Sequence, residues 1–543
     1  MSDTVITDVR SLPEISQLGL NDQNIVQINC QRSVNDTVSV NNAISNNFIQ
    51  GTQDFMFSVA NNQKWSPSRS FFRARASLQF NDDITLNNGN NWRQPKKADG
   101  VALAEGFMNN AYSNAYCYAA SVDISSLTQF VGQANMVKNR LTKTKPWLDT
   151  IGFTHNLIPD IEDRILLTSS DANVGTQALT TTDTPTSLGF TIAATVAVNA
   201  TGLITFSAVP TTANLFLAGD RVLVGGQILT ISTYVPGAVT AQATATVTTV
   251  VAAATLALNG FSRVRFVQAS QEDLGFSSVE TIFQPPLGIF STESAMPSGA
   301  YRISLMPKND LNSCIETKNA LSANQRVRVI IENLYFYMSV FRTEKSFDSG
   351  TYYLSLDEMN IQTKTVAQGD SQGNYNFTIP SSTIGISTFV QPISAGTYSP
   401  GQITKIIPSS LFKDASNSTN RLRSIQLTYS NTSKPVQNYD SNYNESGPLP
   451  TIQYLTQRYI DTHMNTELYS LSCESLEDWL TRGVLNYWSW IRSSDDRSTE
   501  LQMTEQFALI TPDNNQFCCA IYRNLIKITV ENGYITNVVK LQM

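Results

Sequence analysis

Histidine is nearly absent: His155 and His463 are the only two in 543 residues. Neither stands in an HExxH pattern or beside a cysteine cluster, which removes the usual zinc chemistries. A histidine-based hydrolytic triad would have only these two to draw on, and there is no GxSxG elbow. Phosphate-binding signatures are missing as well, with no GxxxxGK(S/T) loop and no GxGxxG after a strand. The six cysteines, Cys30, Cys117, Cys314, Cys473, Cys518 and Cys519, include no CxxC pair. In so long a chain they are expected to be buried free thiols.

Charge is scarce too. Only 15% of residues are charged, and the formal net charge is −7. No bulk attraction to a phosphate backbone follows from that balance. The only basic residues among the first fifty are Arg10 and Arg32, so an arginine-rich genome-binding arm is excluded there. Long apolar runs are also lacking. The best, "TATVTTVVAAATLAL" at 244–258, is too short and too threonine-rich to cross a bilayer and reads as strands. The polar opening "MSDTVITDVR" is not expected to act as a secretory signal. Carboxylates cluster in "DIEDR" (160–164) and "SSDDRS" (493–498), and Trp479, Trp488 and Trp490 lie close together. Solvated loops and sheet–helix packing account for these more simply than a calcium, glycosidase or sugar site. The sequence therefore assigns no catalytic residue, no cofactor and no metal ligand.

What is present is apolar residue content of 41%, enough for buried cores, in a chain long enough for at least two domains. Strand signals dominate. In "SPSRSFFRARASLQF" (66–80), Phe72, Ala74, Ala76, Leu78 and Phe80 fall on one side of a two-residue repeat, and Arg73 and Arg75 on the other. In "LIKITVENGYITNVVKL" (525–541), Ile526, Ile528 and Val530 alternate with polar residues before Asn532-Gly533, a type I′ hairpin signal. "RVRVIIENLYFYMSVF" (326–341) turns apolar on both faces towards its end, as in a strand between layers.

Helical spacing is rare. It appears over 123–141, with Leu127, Phe130, Val131, Ala134, Val137 and Leu141 on one face and Ser125 or Ser126 as a cap. Shorter cases are "LPTIQYLTQRYI" (449–460) and "SCESLEDWLTRG" (472–483). Short helices in connections are expected. From 168 to 262 the chain is rich in Thr, Ala and Val and almost free of Lys, Arg and aromatics. That segment reads as a small all-β module inserted into a host domain, with two strands around Gly225-Gly226. Without it, two units of nearly equal length remain, each suited to an eight-stranded sandwich. The expected division is an arm over 1–44, a first unit over 45–345 carrying the insert, and a second over 346–543.

The arginines of 66–80 could belong to a nucleic-acid surface, but such a surface needs further basic strands or a positive domain. Their simpler reading is the wetter face of a strand. Arg69, Arg73 and Arg75 are candidate assembly contacts, since arginine's planar multi-donor head suits protein interfaces.

Several stretches resemble a known family. "FQPPLGIFSTESAMPSGAYRISLMPKND" (283–310) carries Pro286, Leu287, Phe290, Pro297 and Gly299, then Tyr301, Ile303 and Leu305. It is similar to the segment of double-jelly-roll major capsid proteins in which a Pro-Leu and a phenylalanine precede a P-x-G turn and an alternating strand. "YAASVDISSLTQFVGQAN" (118–135), "LRSIQLTYSNTSKPVQNYD" (422–440) and "TRGVLNYWSWIRSSDDRSTEL" (481–501) resemble other strands and loops of that family. Its members include capsid proteins of virophages, polinton-like viruses and adenovirus-type double-stranded DNA viruses. The resemblance implies an all-β chain of two adjacent eight-stranded antiparallel jelly rolls. It implies a homotrimer, a trimer–trimer lattice in an icosahedral virion assembled inside the host cell, and contacts with penton and minor capsid proteins. It implies no enzyme activity and no sequence-specific nucleic-acid binding. The insert would lie between the fourth and fifth strands of the first roll, as an outward tower able to touch a host surface. Other readings are a single-jelly-roll shell protein with a projection, a trimeric fibre or adhesin, and a carbohydrate-binding β-sandwich.

Overall fold

A computed structural model describes residues 10–18, 21–30, 44–46, 52–83, 85, 92–93, 95, 101–104, 106–155, 196–197, 203–205, 221–224, 227–235, 240–243, 250–251, 257–259, 279–308, 312–317, 321–322, 324–343, 347–393, 422–429, 432–434, 485–489, 498–507, 510 and 513–541. Strands dominate among them. Eight build a first sandwich: β1 (Asn21–Asn29), β2 (Gln53–Val59), β3 (Gln63–Asn81), β4 (Tyr112–Ala119), β5 (Val122–Leu127), β6 (Val279–Phe283), β7 (Gly299–Pro307) and β8 (Arg326–Arg342). They form two four-stranded sheets, ordered β1-β8-β3-β6 and β2-β7-β4-β5.

Eight more follow: β9 (Gly350–Val366), β10 (Gln372–Thr378), β11 (Thr383–Pro392), β12 (Leu422–Tyr429), β13 (Thr432–Lys434), β14 (Asn486–Ser489), β15 (Glu500–Phe507) and β16 (Asn514–Glu531). Their sheets run β9-β16-β11-β14 and β10-β15-β12-β13. Adding eight to each label of the first sandwich gives the second. Each set is a jelly roll, in which the chain crosses between two sheets at every connection except the β4–β5 and β12–β13 hairpins, and the first and last strands pair. The neighbouring pairs are antiparallel throughout. The duplication that length alone suggested is thus present in the topology, although no repeated sequence marks it.

Local chemistry explains the strands. On β3, Phe72, Ala74, Ala76, Leu78 and Phe80 are all buried, while Arg73 and Arg75 are exposed. The last strand, β17 (Tyr534–Leu541), returns along β16 through the Asn532-Gly533 turn, with φ of 50° and 83° at those residues. Positive φ at both positions is the I′ geometry that these residue types allow. Within the segment 168–262, five strands (Leu203–Thr205, Thr240–Ala243, Gln227–Tyr234, Arg221–Val224 and Ala257–Asn259) form one sheet of their own, in that order. Val224 pairs with Gln227 across Gly225-Gly226.

Three expectations change. The stretch Asn21–Asn29 is the first strand of the first roll, paired with β8 over Tyr335–Arg342, and so is not part of an arm. Val26 and Ile28 are the residues it turns towards the core. The segment 168–262 falls between the fifth strand, β5, and the sixth, β6, and not between the fourth and fifth as the resemblance implies. Finally, 123–141 is not one helix. Val122–Leu127 is β5, Phe130 turns with φ 59°, and α2 spans Val131–Thr142. Pairing with β4 outweighs the helical spacing before Phe130. The short helices α1 (Phe107–Asn110), α2 and α3 (Lys145–Thr150) do lie in connections. The predicted helices over 449–460 and 472–483 lie outside the described residues.

The rolls share a core. Cys518 and Ala520 on β16 belong to the core of the second sandwich, with Ile386, Leu427 and Met503. Phe517, Cys519 and Ile521, one residue out of phase, belong to the core that is continuous with the first sandwich. Further along β16, Ile526, Ile528 and Val530 join that same first core, as do Leu354 and Leu356 of β9. Phe517 stacks on Phe389 at 4.9 Å and meets Phe130, just before α2, edge-on at 5.3 Å. Of the cysteines, Cys117, Cys314, Cys518 and Cys519 are buried and Cys30 is half-buried, and none of these forms a disulfide among the described residues; Cys473 lies outside the described residues.

Because Phe517 is a packing anchor between the rolls, Phe517→Ala should cost about 3–5 kcal/mol. A lowered denaturant midpoint with an unchanged far-UV spectrum is the expected result. An unchanged midpoint would mean that the junction does not depend on this ring.

Candidate functional site

The predicted arginines all reach the surface on the outer face of β1-β8-β3-β6. Arg73 is paired with Glu280 of β6, and both side chains are about half exposed. The hydrogen bond and charge of Glu280 raise the Arg73 pKa. Glu280 stands directly opposite Arg75 in the strand register. Arg69 lies over the Phe341 ring at 5.5 Å. The aromatic partner of this strip is Phe71, stacked on Tyr337 at 5.3 Å with an interplanar angle of 16°. Phe71 thus packs across strands, and Phe72 and Phe80 are core. The aromatic residues are engaged in sheet packing, as the simpler reading of 66–80 requires.

The other outer face of the first roll carries a second group. Met56 on β2 is 48% exposed and pairs in register with Arg302 on β7. Arg302 lies over Tyr118 at 4.2 Å, Tyr116 stacks beside Tyr118, and Met306 is 39% exposed. Tyrosine, methionine and arginine are the residue types enriched in protein interfaces. The alternation of β2, β4 and β7 puts them there, because the opposite parity (Phe55, Phe57, Cys117, Ile303 and Leu305) fills the core.

Between the rolls lies a polar knot that the sequence did not announce. Glu358 of β9 is 2% exposed. It accepts a hydrogen bond from Ser125 Oγ on β5 at 2.5 Å and another from Gly288 N at 3.4 Å. Ser125 Oγ also accepts from Ile289 N at 3.3 Å. Gly288 is required by close approach: a Cβ there would meet Asp357 O at 2.6 Å and Glu358 Oε1 at 2.9 Å. Burial pushes the Glu358 pKa up to about 7, Ser125, Gly288 and Lys540 oppose the rise, and Asp123 adds to it. Ser125, expected as a helix cap, instead joins one roll to the other across 233 positions of sequence. In the second core, burial likewise pushes Glu505 far up; it is 0% exposed and neither oxygen has a partner among the described residues.

His155 sits beside Trp147 with ring centroids 5.1 Å apart, and its Nδ1 is 3.0 Å from Thr154 Oγ1. Burial lowers its pKa to about 4. His463, Trp479, Trp490 and the acidic stretch at 160–164 lie outside the described residues, as do 493–497. Trp488 is buried in the second core, as the packing reading has it.

Solved structures that align with the chain include the Sputnik virophage determined by electron cryomicroscopy, 10% identical with a TM-score of 0.49, covering 100% of this chain and 95% of that one. The mavirus major capsid protein aligns at 8% identity and a TM-score of 0.43, covering 98% and 93%. The Faustovirus major capsid protein aligns at 8% and 0.43, covering 93% and 90%. No family model matches the chain, and no curated protein matches it. At such low identity and scores, the assignment rests on the chain's own strand order: this is a double-jelly-roll protein.

Glu358 generates a pH dependence. The unfolded carboxyl ionises near its ordinary value of 4.5, while the folded one keeps its proton to about 7. The folded state therefore binds more protons in that window, and stability falls as pH rises through it. By pH 7 the loss attributable to Glu358 is about 3 kcal/mol. In Glu358→Gln that part of the slope should vanish. Parallel stability profiles for the two proteins between pH 4.5 and 7 would refute the assignment.

Proposed function

We propose that the chain is the major capsid protein of an icosahedral double-stranded DNA virus. The observation that carries this reading is the strand order repeated in two adjacent rolls. Two like rolls per chain, set around a threefold axis, give six like units around a ring. Such a pseudo-hexagonal trimer can tile a shell from one gene product. The building blocks would be a first roll over 21–342, interrupted by 168–262, and a second over 350–541.

Surface chemistry supports self-assembly. A ring of three needs two different faces of one chain to meet. The first roll offers two: the strip with Arg69, Arg73 and Arg75, and the Met56, Tyr116, Tyr118, Arg302 and Met306 face. Ile25, 50% exposed on β1, adds an apolar contact beside the arginines. In this reading the protein has a structural, non-enzymatic role and resides in the virion. A net charge of −7 suits a shell that encloses DNA without binding it by sequence. Penton and minor capsid proteins are expected neighbours, and 168–262 is a candidate contact for a host surface. A second roll with the full strand order of the first speaks against a single-roll shell protein with a projection, and against a fibre.

Purified protein should form a discrete trimer by light scattering and pseudo-hexagonal particles by negative-stain microscopy. A strictly monomeric chain at high concentration, with no such particles, would defeat the proposal. Substituting Arg69 and Arg75 together by alanine should weaken trimers or their lattice while shifting the monomer's melting temperature little, because both side chains lie at the surface. Full assembly of that variant would remove the arginines from the interface.

A further inference from the structure

One cavity of the first roll gathers basic groups and, among the described residues, no acid. It lies where the long connection between β5 and β6 leaves the roll and returns to it. Lys138 comes from α2 and Lys143 follows that helix; Trp147 of α3 and His155 form the outgoing wall; Gln284, just past β6, lies on the returning side. Asn135 is a further amide in the lining, and among the described residues no Asp or Glu contributes to it. The two stems already touch, since Thr281 Oγ1 donates to Thr154 O at 3.2 Å.

The lysines are poorly compensated. Lys143 Nζ lies over the Trp147 ring at 4.3 Å, a weak substitute for an anion. Among the described residues neither lysine forms an ion pair; Glu358 acts on Lys138 only through space. Burial lowers Lys138 to about 8 and lowers Lys143, and the charge of Lys143 further depresses both Lys138 and His155. Three bases thus crowd one another around a cavity of about 30 Å³. That is room for about two waters, or for one small oxyanion in their place. His155 presents Nδ1 to Thr154 Oγ1 and to Ile151 O, 3.4 Å away, and serves as a wall.

We propose that this cavity binds a small oxyanion of the phosphate class, held by Lys138 and Lys143 at the base of the connection that carries 168–262. A bound anion would neutralise two crowded cations and brace α2 against the two stems. The group enters either as free phosphate or as the terminal phosphate of a larger molecule. This inference stands whether or not the chain builds a shell.

The test is thermal denaturation of the full chain titrated with inorganic phosphate, against sodium chloride at matched ionic strength, with adenosine 5′-monophosphate as a further arm. Saturating phosphate should raise the apparent Tm by about 2–4 °C. Chloride should give no saturable shift. Lys138→Gln and Lys143→Gln should each weaken the response at least tenfold in midpoint concentration. Because Lys143 also packs on Trp147, Lys143→Arg is the control: it keeps the charge and should retain most of the response. A response to phosphate or to the nucleotide upholds the site, and the ratio of their midpoints tells whether the anion enters free or carried. No saturable shift with either, or an equal shift in the Lys138→Gln protein, overturns it.

Discussion

The sheet β9-β16-β11-β14 is the layer on which the architecture depends. It must be apolar on two sides at once, because the second sandwich closes on one and the first roll on the other. Strand β16 carries that demand within adjacent residues. Cys518 faces the second core and Cys519 the first, so a one-residue slip would exchange the contents of two cores. Phe517 and Ala520 could not trade places, because a large ring and a methyl would then fill the wrong gaps. An exposed sheet tolerates polar substitutions on its wet face; this one has no wet face over β11 and residues 516–521 of β16.

That constraint explains where polar chemistry survives in the interior. Glu358 persists at the junction because Ser125 and Gly288 supply donors from the opposite roll, and burial raises its pKa to about 7. A neutral acid that is hydrogen-bonded across an interface fixes relative position with less desolvation cost than an ion pair would carry. Gly288 lets the backbone come close enough for this, and the turn after it, Gly288–Ser291, seats Phe290 in the first core. Residues 286–290, part of a segment that resembles a capsid-family motif, lie at one of the places where the two rolls meet.

Much of the fold was legible wherever the signal was local. The alternation of β3, the Asn532-Gly533 hairpin and the out-of-phase cysteines depend on neighbours in sequence, and each reads from period and turn chemistry. The first strand was lost because Asn21–Asn29 is mostly Asn and Gln, with only Val26 and Ile28 turned inward. Half-buried edge strands give weak patterns of this kind. The helix over 123–141 was overextended because Leu127 and Phe130 fit its spacing, while the pairing of β5 with β4 is invisible without the register. Glu358 and Ser125 were missed for a different reason: nothing in either local sequence distinguishes a buried acid from a solvated one. The same holds for Lys138 and Lys143, whose crowding arises only when the stem carrying His155 folds back on α2.

Edges govern how such a chain meets its neighbours. A sandwich ends in unpaired strand edges, which pair with other chains unless covered. Here Arg10–Ser11 lies parallel along β9 at Tyr352–Tyr353, covering part of the second roll's edge with a segment that precedes the first roll. Ile44–Asn46 likewise lies along β8 at Val327–Val329, and β17 covers the length of β16 that β11 leaves open. These covers shorten the open edges and leave side chains on sheet faces available for association. Faces offer shape and charge that discriminate between partners, whereas bare edges accept any strand. Under the proposed function, the arginine strip and the methionine–tyrosine face would be of the discriminating kind. An acidic chain with its strand edges partly capped and two unlike faces exposed would then join copies of itself in one arrangement. The repeated roll supplies the near-sixfold outline that such joining needs if the product is to close into a shell.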